Sequence, residues 1–146
     1  MTLNLRDSLN RYYYDITVSD LRQLSRTGGG ELSYNSIMYL DVISYQARRG
    51  GCTVSTLAGT LQISRSAATL KINELARLGL VERTRSQTDR RVMWLNVTGR
   101  AAEALEAYDR PFERAARLVE ERFSQEEIET FCTILDAFTE EYVKEF

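Results

Sequence analysis

The spacing of the apolar residues shifts from three or four positions to two within residues 53–97, and this shift restricts the chain to few folds. Two groups have helical spacing: Val54, Leu57, Ala58 and Leu61, and then Ala68, Ile72, Leu75 and Leu78. Gln62 lies at a turn between the groups, and Gly79 suits the C′ position that ends the second helix. The pattern predicts two short helices joined by a turn.

Two β-prone runs follow this helix pair, at residues 80–85 and 91–97. Because successive side chains of a strand point to opposite faces, Trp94 and Leu95 would lie on different sides of the second run. The segment between the runs, residues 86–90, contains no apolar residue. We therefore predict a β-hairpin with a polar, basic tip, which adds a wing to the helix-turn-helix.

The residues before this region predict two further helices. A helical apolar pattern covers residues 5–26, and the glycines at 28–30 would end that helix. Ser33 is a candidate N-cap for a second helix over residues 34–48. Apolar residues cover most of its circumference, so we expect it to be largely buried. They are Ile37, Met38, Leu40, Val42, Ile43 and Tyr45.

The C-terminal third is predicted to be helical as well. Apolar residues alternate at spacings of three and four over residues 101–123 and again over residues 124–142. Pro111, the only proline, is expected to kink or interrupt the first of these helices, because it lacks an N–H and clashes with the preceding turn. Ser124 and Glu127 have the capping-box spacing that begins the second.

These terminal helices carry more apolar surface than the central unit can cover, and a second copy of the chain is the simplest cover. The predicted fold class is mainly α with a small β-hairpin wing: a winged helix-turn-helix flanked by N- and C-terminal dimerisation helices. Residues 1–30 and 100–146 would form the helical dimerisation region. Residues 31–99 would form the winged helix-turn-helix region of one intertwined domain.

Histidine is absent from the sequence, which excludes several kinds of site. A Ser-His-Asp or Cys-His arrangement and every His-based zinc site need an imidazole. The two cysteines, Cys52 and Cys132, are too few for a thiolate metal site. An enzyme built on this chain would depend on an unaided Lys, Tyr or Cys. We therefore predict no enzyme, no metal site and no cofactor.

The features of membrane and exported proteins are missing too. No apolar run approaches the roughly 18 residues of a membrane span, and residues 1–15 lack the apolar stretch of a signal peptide. We expect a cytoplasmic protein with no membrane partner.

Charge is unevenly distributed along the chain. Residues 48–100 contain ten basic and three acidic residues, a net +7, whereas residues 101–146 contain five basic and thirteen acidic ones, a net −8. Of the 19 basic residues, only Lys71 and Lys144 are lysines. Guanidinium groups bind phosphates and base edges through planar, bidentate hydrogen bonds. The middle third is therefore the candidate for binding a polyanion such as nucleic acid.

Four segments of this middle third resemble a known family. They are Ser64-Arg65-Ser66, LGLVER at residues 78–83, Asp89-Arg90-Arg91, and LNVT at residues 95–98. In this order they resemble the multiple antibiotic resistance regulator (MarR) family of bacterial transcription factors. The resemblance implies a homodimer that presents two winged helix-turn-helix regions to double-stranded DNA at a palindromic operator. It favours a repressor whose affinity for DNA is lowered by a ligand.

The predicted DNA contacts lie on the second helix of the pair and on the wing. They are Ser64, Arg65, Ser66 and Thr69 on the helix, and Arg85, Asp89, Arg90 and Arg91 on or beside the wing. Hydroxyls, backbone N–H groups and one Arg at a helix start suit phosphates and base edges in a major groove. Ser64 is also a candidate N-cap. The resemblance implies that Asp89 holds Arg91 in position by a charge-assisted pair.

The centre of this helix departs from the pattern common in the family, where a basic residue is often followed by an apolar one. This chain has Leu70 and then Lys71. Leu70 can only contact a thymine methyl group or pack against protein. The choice between these two roles is open at this point, and so is the set of side chains that reads bases.

Tyrosines in the first third of the chain suggest a ligand pocket, which the resemblance implies between the helical and winged parts. We consider Tyr13, Tyr34 and Tyr39 the candidates for contacting a small aromatic or phenolic effector. The alternative is that these tyrosines belong to the core and have satisfied hydroxyls.

Two other functions are compatible with the sequence. Cys52 follows Arg48 and Arg49, and a thiolate stabilised there would make the protein a cysteine-based redox-sensing regulator. The alternative for Cys52 is a buried, inert thiol. A winged helix that has lost DNA binding would be a protein-interaction module instead, but the basic wing residues favour DNA.

Overall fold

The computed structural model describes residues 2–26 and 32–146, in which six helices and two strands follow one another. Their bounds are α1 Leu5–Arg26, α2 Tyr34–Ala47, α3 Val54–Leu61, α4 Arg65–Arg77, β1 Val81–Arg85, β2 Met93–Val97, α5 Gly99–Arg122 and α6 Gln125–Val143. The predicted mainly α fold with a β-hairpin wing is therefore confirmed. None of these helices has an apolar stretch long enough to cross a membrane. The chain divides into two compact units, residues 1–108 and residues 109–146.

The core of the first unit is built by α2, α3, α4, the wing strands and the start of α5. Its largest fully buried side chains are Leu40, Ile43, Leu57, Ile72, Leu75, Leu95 and Cys52. Leu24 of α1 and Tyr108 of α5 pack against this core while partly exposed. Burying a Leu or Ile side chain stabilises a fold by roughly 1.5–3 kcal/mol, so these contacts fix α4 against the wing.

Short polar side chains begin α2, α3 and α4. The hydroxyls of Ser33, Thr53 and Ser64 each accept a hydrogen bond from the backbone N–H three residues further on, at 3.0–3.1 Å. An N-cap of this kind stabilises a helix by about 1 kcal/mol. Ser33 and Ser64 are thus the N-caps that the sequence predicts.

The turns after α3 and α4 use left-handed backbone. Gln62, at the end of α3, has a φ of 54°, and Gly79 has a φ of 72°. The N–H of Gly79 donates to the carbonyl of Ala76 at 3.0 Å, and the N–H of Leu80 donates to that of Leu75 at 2.9 Å. This pair of hydrogen bonds is a Schellman motif, which leads the chain from α4 directly into β1.

The wing strands pair antiparallel, with Arg85 opposite Met93. A third segment joins β2 at an isolated bridge, where the N–H of Leu95 donates to the carbonyl of Cys52 at 2.8 Å. The sequence does not predict this bridge, because a strand is recognised from apolar and polar residues that alternate over several positions, and the bridge consists of a single residue pair. The bridge ties the wing to the segment between α2 and α3.

The ring of Trp94 lies against Gly51. Gly51 has a φ of 103°, and a Cβ at this position would overlap the six-membered ring of the Trp94 indole. Both the backbone conformation and the lack of space therefore require glycine here. The contact holds the face of β2 against the turn that follows α2.

The start of α5 is tied to the end of α4. The hydroxyl of Thr98 donates to the carbonyl of Gly79 at 2.7 Å, and Nη1 of Arg100 donates to the carbonyl of Leu78 at 2.9 Å. Carbonyls at a helix end lack partners within the helix, so these two side chains complete the hydrogen bonding of α4.

The expectation that α2 is buried on most sides was wrong. Met38 and Tyr45 are 53% and 54% exposed, whereas Ile37, Leu40 and Ile43 are buried. Residues seven positions apart share one side of a helix, and Met38 and Tyr45 share the side that faces away from the core.

The interruption expected at Pro111 is absent, since α5 continues through this residue as one 24-residue helix, and the kink expected as its alternative stays a prediction. A proline removes a single backbone hydrogen bond, and the remaining bonds keep the helix continuous. The described part of the first helix, Leu5–Arg26, coincides with the range predicted for it. The predicted stop at residues 28–30 lies outside the described residues.

The second unit contains the C-terminal part of α5 together with α6. The predicted capping box at Ser124 and Glu127 begins α6, and hydrogen bonds from the backbone and hydroxyl of Ser124 lower the pKa of the Glu127 carboxyl. No residue of α6 is buried within the described chain. The exposed apolar residues of α6 include Phe131, Ile134, Leu135, Phe138 and Tyr142.

Candidate nucleic-acid interface

The outward face of α4 carries the helix residues predicted to contact DNA. Arg65, Ser66 and Thr69 are all exposed. The Ser64 hydroxyl accepts from the N–H of Ala67 at 3.0 Å, so it caps the helix. The first N–H groups of a helix have no partner inside it, and they carry part of the positive end of the helix dipole. The start of α4 thus offers hydroxyls, one guanidinium and backbone N–H groups to an anion.

A groove between α4 and β1 was not predicted from the sequence. It has a volume of about 590 Å³ and is lined by Leu70, Asn73, Ala76, Arg77 and Arg83. Leu70 is 71% exposed, and Nη2 of Arg83 donates a hydrogen bond to Oδ1 of Asn73. Helical spacing places Leu70, Asn73 and Arg77 on one face of α4. Arg83 lines the groove from β1, and helical spacing cannot predict a contact with a residue of another element.

At the tip of the wing, Asp89 holds Arg91. Oδ1 of Asp89 accepts hydrogen bonds from the backbone N–H and Nε of Arg91 at 3.0 and 3.1 Å, and Oδ2 accepts from Nη2 at 3.2 Å. These bonds lower the pKa of the Asp89 carboxyl. The Arg91 side chain is nevertheless 90% exposed. The predicted charge-assisted pair is present, and it orients a guanidinium that stays open to solvent.

Two neighbouring residues support the wing. The hydroxyl of Ser86, which is buried, accepts from the N–H groups of Thr88 and Asp89 at 3.3 and 3.2 Å. Nη1 of Arg85 donates to the carbonyl of Arg90 at 2.7 Å. Arg85, predicted as a DNA contact, therefore uses at least one donor to brace the wing. Ser86 was missed, because a serine in a polar loop gives no sign that it is buried.

Known proteins are similar in sequence to the region that contains α4 and the wing. A sequence profile described as MarR family matches residues 32–92, which contain α2, α3, α4, β1 and the tip of the wing. YwhA of Bacillus subtilis (strain 168), described as an uncharacterized HTH-type transcriptional regulator, is 32% identical over 91 residues, which are 60% of this chain and 63% of that protein. Over these residues the chain is similar to the MarR family. Its match to YwhA spans less than two thirds of that relative's length.

Solved structures share the fold over nearly the whole chain. FabT of Streptococcus pneumoniae, solved in complex with DNA, matches 97% of this chain and 100% of its own with a TM-score of 0.66 and 23% identity. A MepR variant from a multidrug-resistant S. aureus clinical isolate matches 97% and 99% with a TM-score of 0.70 and 17% identity. These likenesses show the MarR-like winged helix-turn-helix fold.

Lys71, where the sequence departs from the common MarR pattern, lies on the inner side of α4. Its Nζ donates to the Ser36 hydroxyl at 3.4 Å and lies 3.5 Å from the Glu74 carboxylate. It also lies 5.3 Å from the centre of the Tyr39 ring, and its side chain is 13% exposed. Lys71 therefore joins α4 to α2, and the neighbouring Leu70 points outward.

The candidate effector tyrosines have different surroundings. Burial raises the pKa of Tyr34, and the negative charges of nearby carboxylates and of Tyr13 raise it further. Tyr34 in turn contributes to the raised pKa of Tyr108, whose largest cause is burial. Tyr34 thus shares electrostatic surroundings with Tyr13 and with Tyr108, whereas Tyr39 lies against Lys71. Tyr108 was missed because its position on α5 is remote in sequence.

Cys52 is fully buried. Burial raises the pKa of its thiol, which disfavours the thiolate that peroxide chemistry needs. This environment favours the inert, structural interpretation over the redox one. Among the described residues, no cluster of His, Cys, Asp and Glu side chains has the geometry to hold a metal ion.

Proposed function

We propose that this chain is a homodimeric regulator that binds double-stranded DNA sequence-specifically and acts as a repressor. α4 would lie in a major groove, with the wing arginines at the adjacent minor groove. The observation that carries the proposal is the Asp89–Arg91 pair. A guanidinium oriented by a carboxylate, yet 90% exposed, suits an anionic partner such as a phosphate.

Two further observations support DNA as the partner. Residues 48–100, which contain both α4 and the wing, have a net charge of +7 in a chain of net charge −2. FabT, which shares the fold over the whole of its own length, was solved in complex with DNA. A DNA partner also requires the protein to work in the cytoplasm, as the sequence predicts.

The homodimer part of the proposal is based on apolar residues that a single chain leaves uncovered. On α6, Phe131, Ile134, Leu135, Phe138 and Tyr142 form a stripe in which each residue is 37–58% exposed. Monomeric proteins rarely expose contiguous apolar surface of this extent. We propose that residues 1–30 and 100–146 of two chains cover one another, which leaves residues 31–99 free for DNA. Two-fold symmetry would then require a palindromic operator.

We also propose that a small aromatic or phenolic effector lowers the affinity for DNA. Tyr13 and Tyr34 would contact it, because each offers an apolar ring with a hydrogen-bonding hydroxyl. Tyr39 would connect this site to α4 through Lys71. Titration of monocyclic phenols and benzoates into the DNA complex tests this part. No change in affinity with any of them would contradict it.

Selection of bound duplexes from random DNA tests the DNA-binding proposal. We expect a motif with two-fold symmetry and half-sites about one helical turn apart. Affinity should fall steeply as salt rises, because bound arginines release counterions from the phosphates. A variant with Arg85, Arg90 and Arg91 all changed to Ala should bind much more weakly, with circular dichroism as the folding control. No enrichment even at about 50 mM salt would favour the protein-interaction module instead.

A further inference from the structure

Building on the proposed DNA binding, we infer that Leu70 and Asn73 together recognise a thymine in the major groove, and that Arg83 sets the orientation of the Asn73 amide. Leu70 and Asn73 lie three positions apart on the outward face of α4 and line the same groove. The inference concerns which base the helix selects, a property that DNA binding alone leaves undetermined.

The hydrogen bond between Arg83 and Asn73 determines which end of the amide faces outward. A guanidinium has only donors, so the group that it contacts on Asn73 must be the oxygen, Oδ1. The Nδ2 amino group, which can only donate, is then left for other partners. Asn73 therefore presents a donor to whatever enters the groove, and its carbonyl is already engaged.

Leu70 adds an apolar surface beside this donor. It is 71% exposed, while its neighbours Ala68 and Ile72 are fully buried, so packing within the chain does not account for its side chain. A leucine in this position costs free energy in water unless a partner covers it. The C5-methyl group of thymine is the apolar feature that the major-groove edge of DNA offers.

Thymine is the base whose major-groove edge matches both side chains. It carries an acceptor, O4, and a methyl group next to it. Cytosine presents a donor, which cannot bond to Nδ2. Adenine has no methyl group to cover Leu70, and the hydrogen bond from Arg83 to Oδ1 competes with the one that adenine N6 would donate. Guanine has acceptors but no methyl group, so it would leave Leu70 uncovered.

Replacing thymine by deoxyuridine in the selected operator tests the role of Leu70 without changing the protein. Deoxyuridine keeps O4 and lacks only the methyl group. We expect one symmetric pair of thymines at which this replacement weakens binding by about fourfold per half-site. This factor is the affinity that the burial of one methyl group contributes. The Leu70→Ala variant should bind thymine and deoxyuridine operators equally, because it has lost the contact with the methyl group.

The Arg83→Met variant tests the orientation of the amide. Freed from the guanidinium, Asn73 can offer both amide groups to adenine, so the preference for thymine over adenine at that position should fall by about tenfold. Arg77→Met is the matched control, because it removes the same charge from the same groove and leaves the Arg83–Asn73 bond in place. It should weaken binding to all operators alike and keep the preference for thymine.

These outcomes separate the inference from the proposed function. If selection yields no preferred sequence, the DNA-binding proposal itself fails. If a symmetric operator is recovered but no thymine methyl affects binding, or if Leu70→Ala keeps the full deoxyuridine penalty, DNA binding stands and the thymine assignment is overturned. Equal base preferences in Arg83→Met and Arg77→Met would overturn the role given to Arg83.

Discussion

Arg65 and Arg91 are both exposed guanidiniums, but their surroundings assign them different tasks. Asp89 orients Arg91 on the wing, where it would enter the negative potential of a minor groove. Arg65 begins α4, from which a side chain reaches a base edge. Replacing Arg91 should therefore weaken binding to all DNA, whereas replacing Arg65 should weaken binding to a particular sequence.

We predict that Arg91→Ala weakens binding to operator and random duplexes together. It should reduce the salt slope by about one unit per phosphate that it neutralises in each subunit. Arg65→Ala should instead cost about 1–3 kcal/mol on the matched operator only. Affinities measured over a salt series for both duplexes distinguish the two, with circular dichroism to confirm folding. A loss confined to the operator in Arg91→Ala would contradict the assignment.

Cys52 is expected to matter for stability and not for sensing. Because its thiol is fully buried in the core, Cys52→Ala should lower the free energy of unfolding by roughly 1–2 kcal/mol. Peroxide should leave DNA binding unchanged in the wild type and in the variant. Cys132→Ala, at an exposed position, is the control and should change stability by less than about 0.5 kcal/mol. A peroxide response that disappears in Cys52→Ala would restore the redox hypothesis.

Residue roles that depend on near neighbours in sequence were predictable. Ser33 begins α2 and Gly79 ends α4 through bonds to residues a few positions away. The pairing of Asp89 with Arg91 is local too, but it was implied by the resemblance to the MarR family. Roles that depend on a partner from another element were not predictable. Arg83 reaches Asn73, and Lys71 reaches α2, only because β1 and α2 pack beside α4.

Among the elements, α2 and α4 are joined by a polar link inside an otherwise apolar contact. Ser36 is buried, and its hydroxyl accepts hydrogen bonds from Ser33 at 3.0 Å and from Lys71 at 3.4 Å. The Lys71 ammonium lies 5.3 Å from the centre of the Tyr39 ring. Lys71 thus uses its charge within the protein, although it lies on the helix expected to contact DNA.

We predict that Lys71→Met lowers the free energy of unfolding by about 0.5–1.5 kcal/mol, since it removes one partly buried hydrogen bond and keeps the apolar stem. The salt dependence of DNA binding should stay the same, because the ammonium does not face the nucleic acid. Chemical denaturation and a salt series measure the two effects. Arg91→Met is the control that should reduce the salt slope. An equal reduction in Lys71→Met would show that Lys71 contacts phosphate.

The elements themselves could be predicted because apolar spacing is a local property of the chain. Helix and strand bounds agree with the structure to within a few residues. What spacing cannot supply is the neighbour that covers each face. Met38 and Tyr45 have the same apolar character as the buried residues of α2, and only the packing of the other elements decides that they stay exposed.

At the scale of the whole molecule, the apolar stripe of α6 predicts an obligate dimer. Interfaces of this kind typically bury more than about 2,000 Å². Light scattering at micromolar concentration should give twice the chain mass of 16.8 kDa. A folded monomer of 16.8 kDa under these conditions would refute the dimer.

Substitutions on the two sides of α6 provide a sharper form of this test. A variant carrying Phe131→Glu and Phe138→Glu places charges in the stripe and should dissociate the dimer. Thr133→Glu adds a charge on the opposite side of the helix and should leave the dimer intact. Operator affinity should fall only in the dissociated variant, since two linked half-sites bind together. Dissociation by Thr133→Glu alone would show that another face forms the interface.

The contact between Trp94 and Gly51 supplies the protein with its own optical reporter. Trp94 is the only tryptophan in the chain, so the indole fluorescence arises from one place, the partly buried side of β2 that packs against Gly51. DNA that approaches the wing should change the intensity or wavelength of this emission, and binding can be titrated without a label. Gly51→Ala, which forces the ring from its position, should shift the emission of the free protein toward that of a solvated indole.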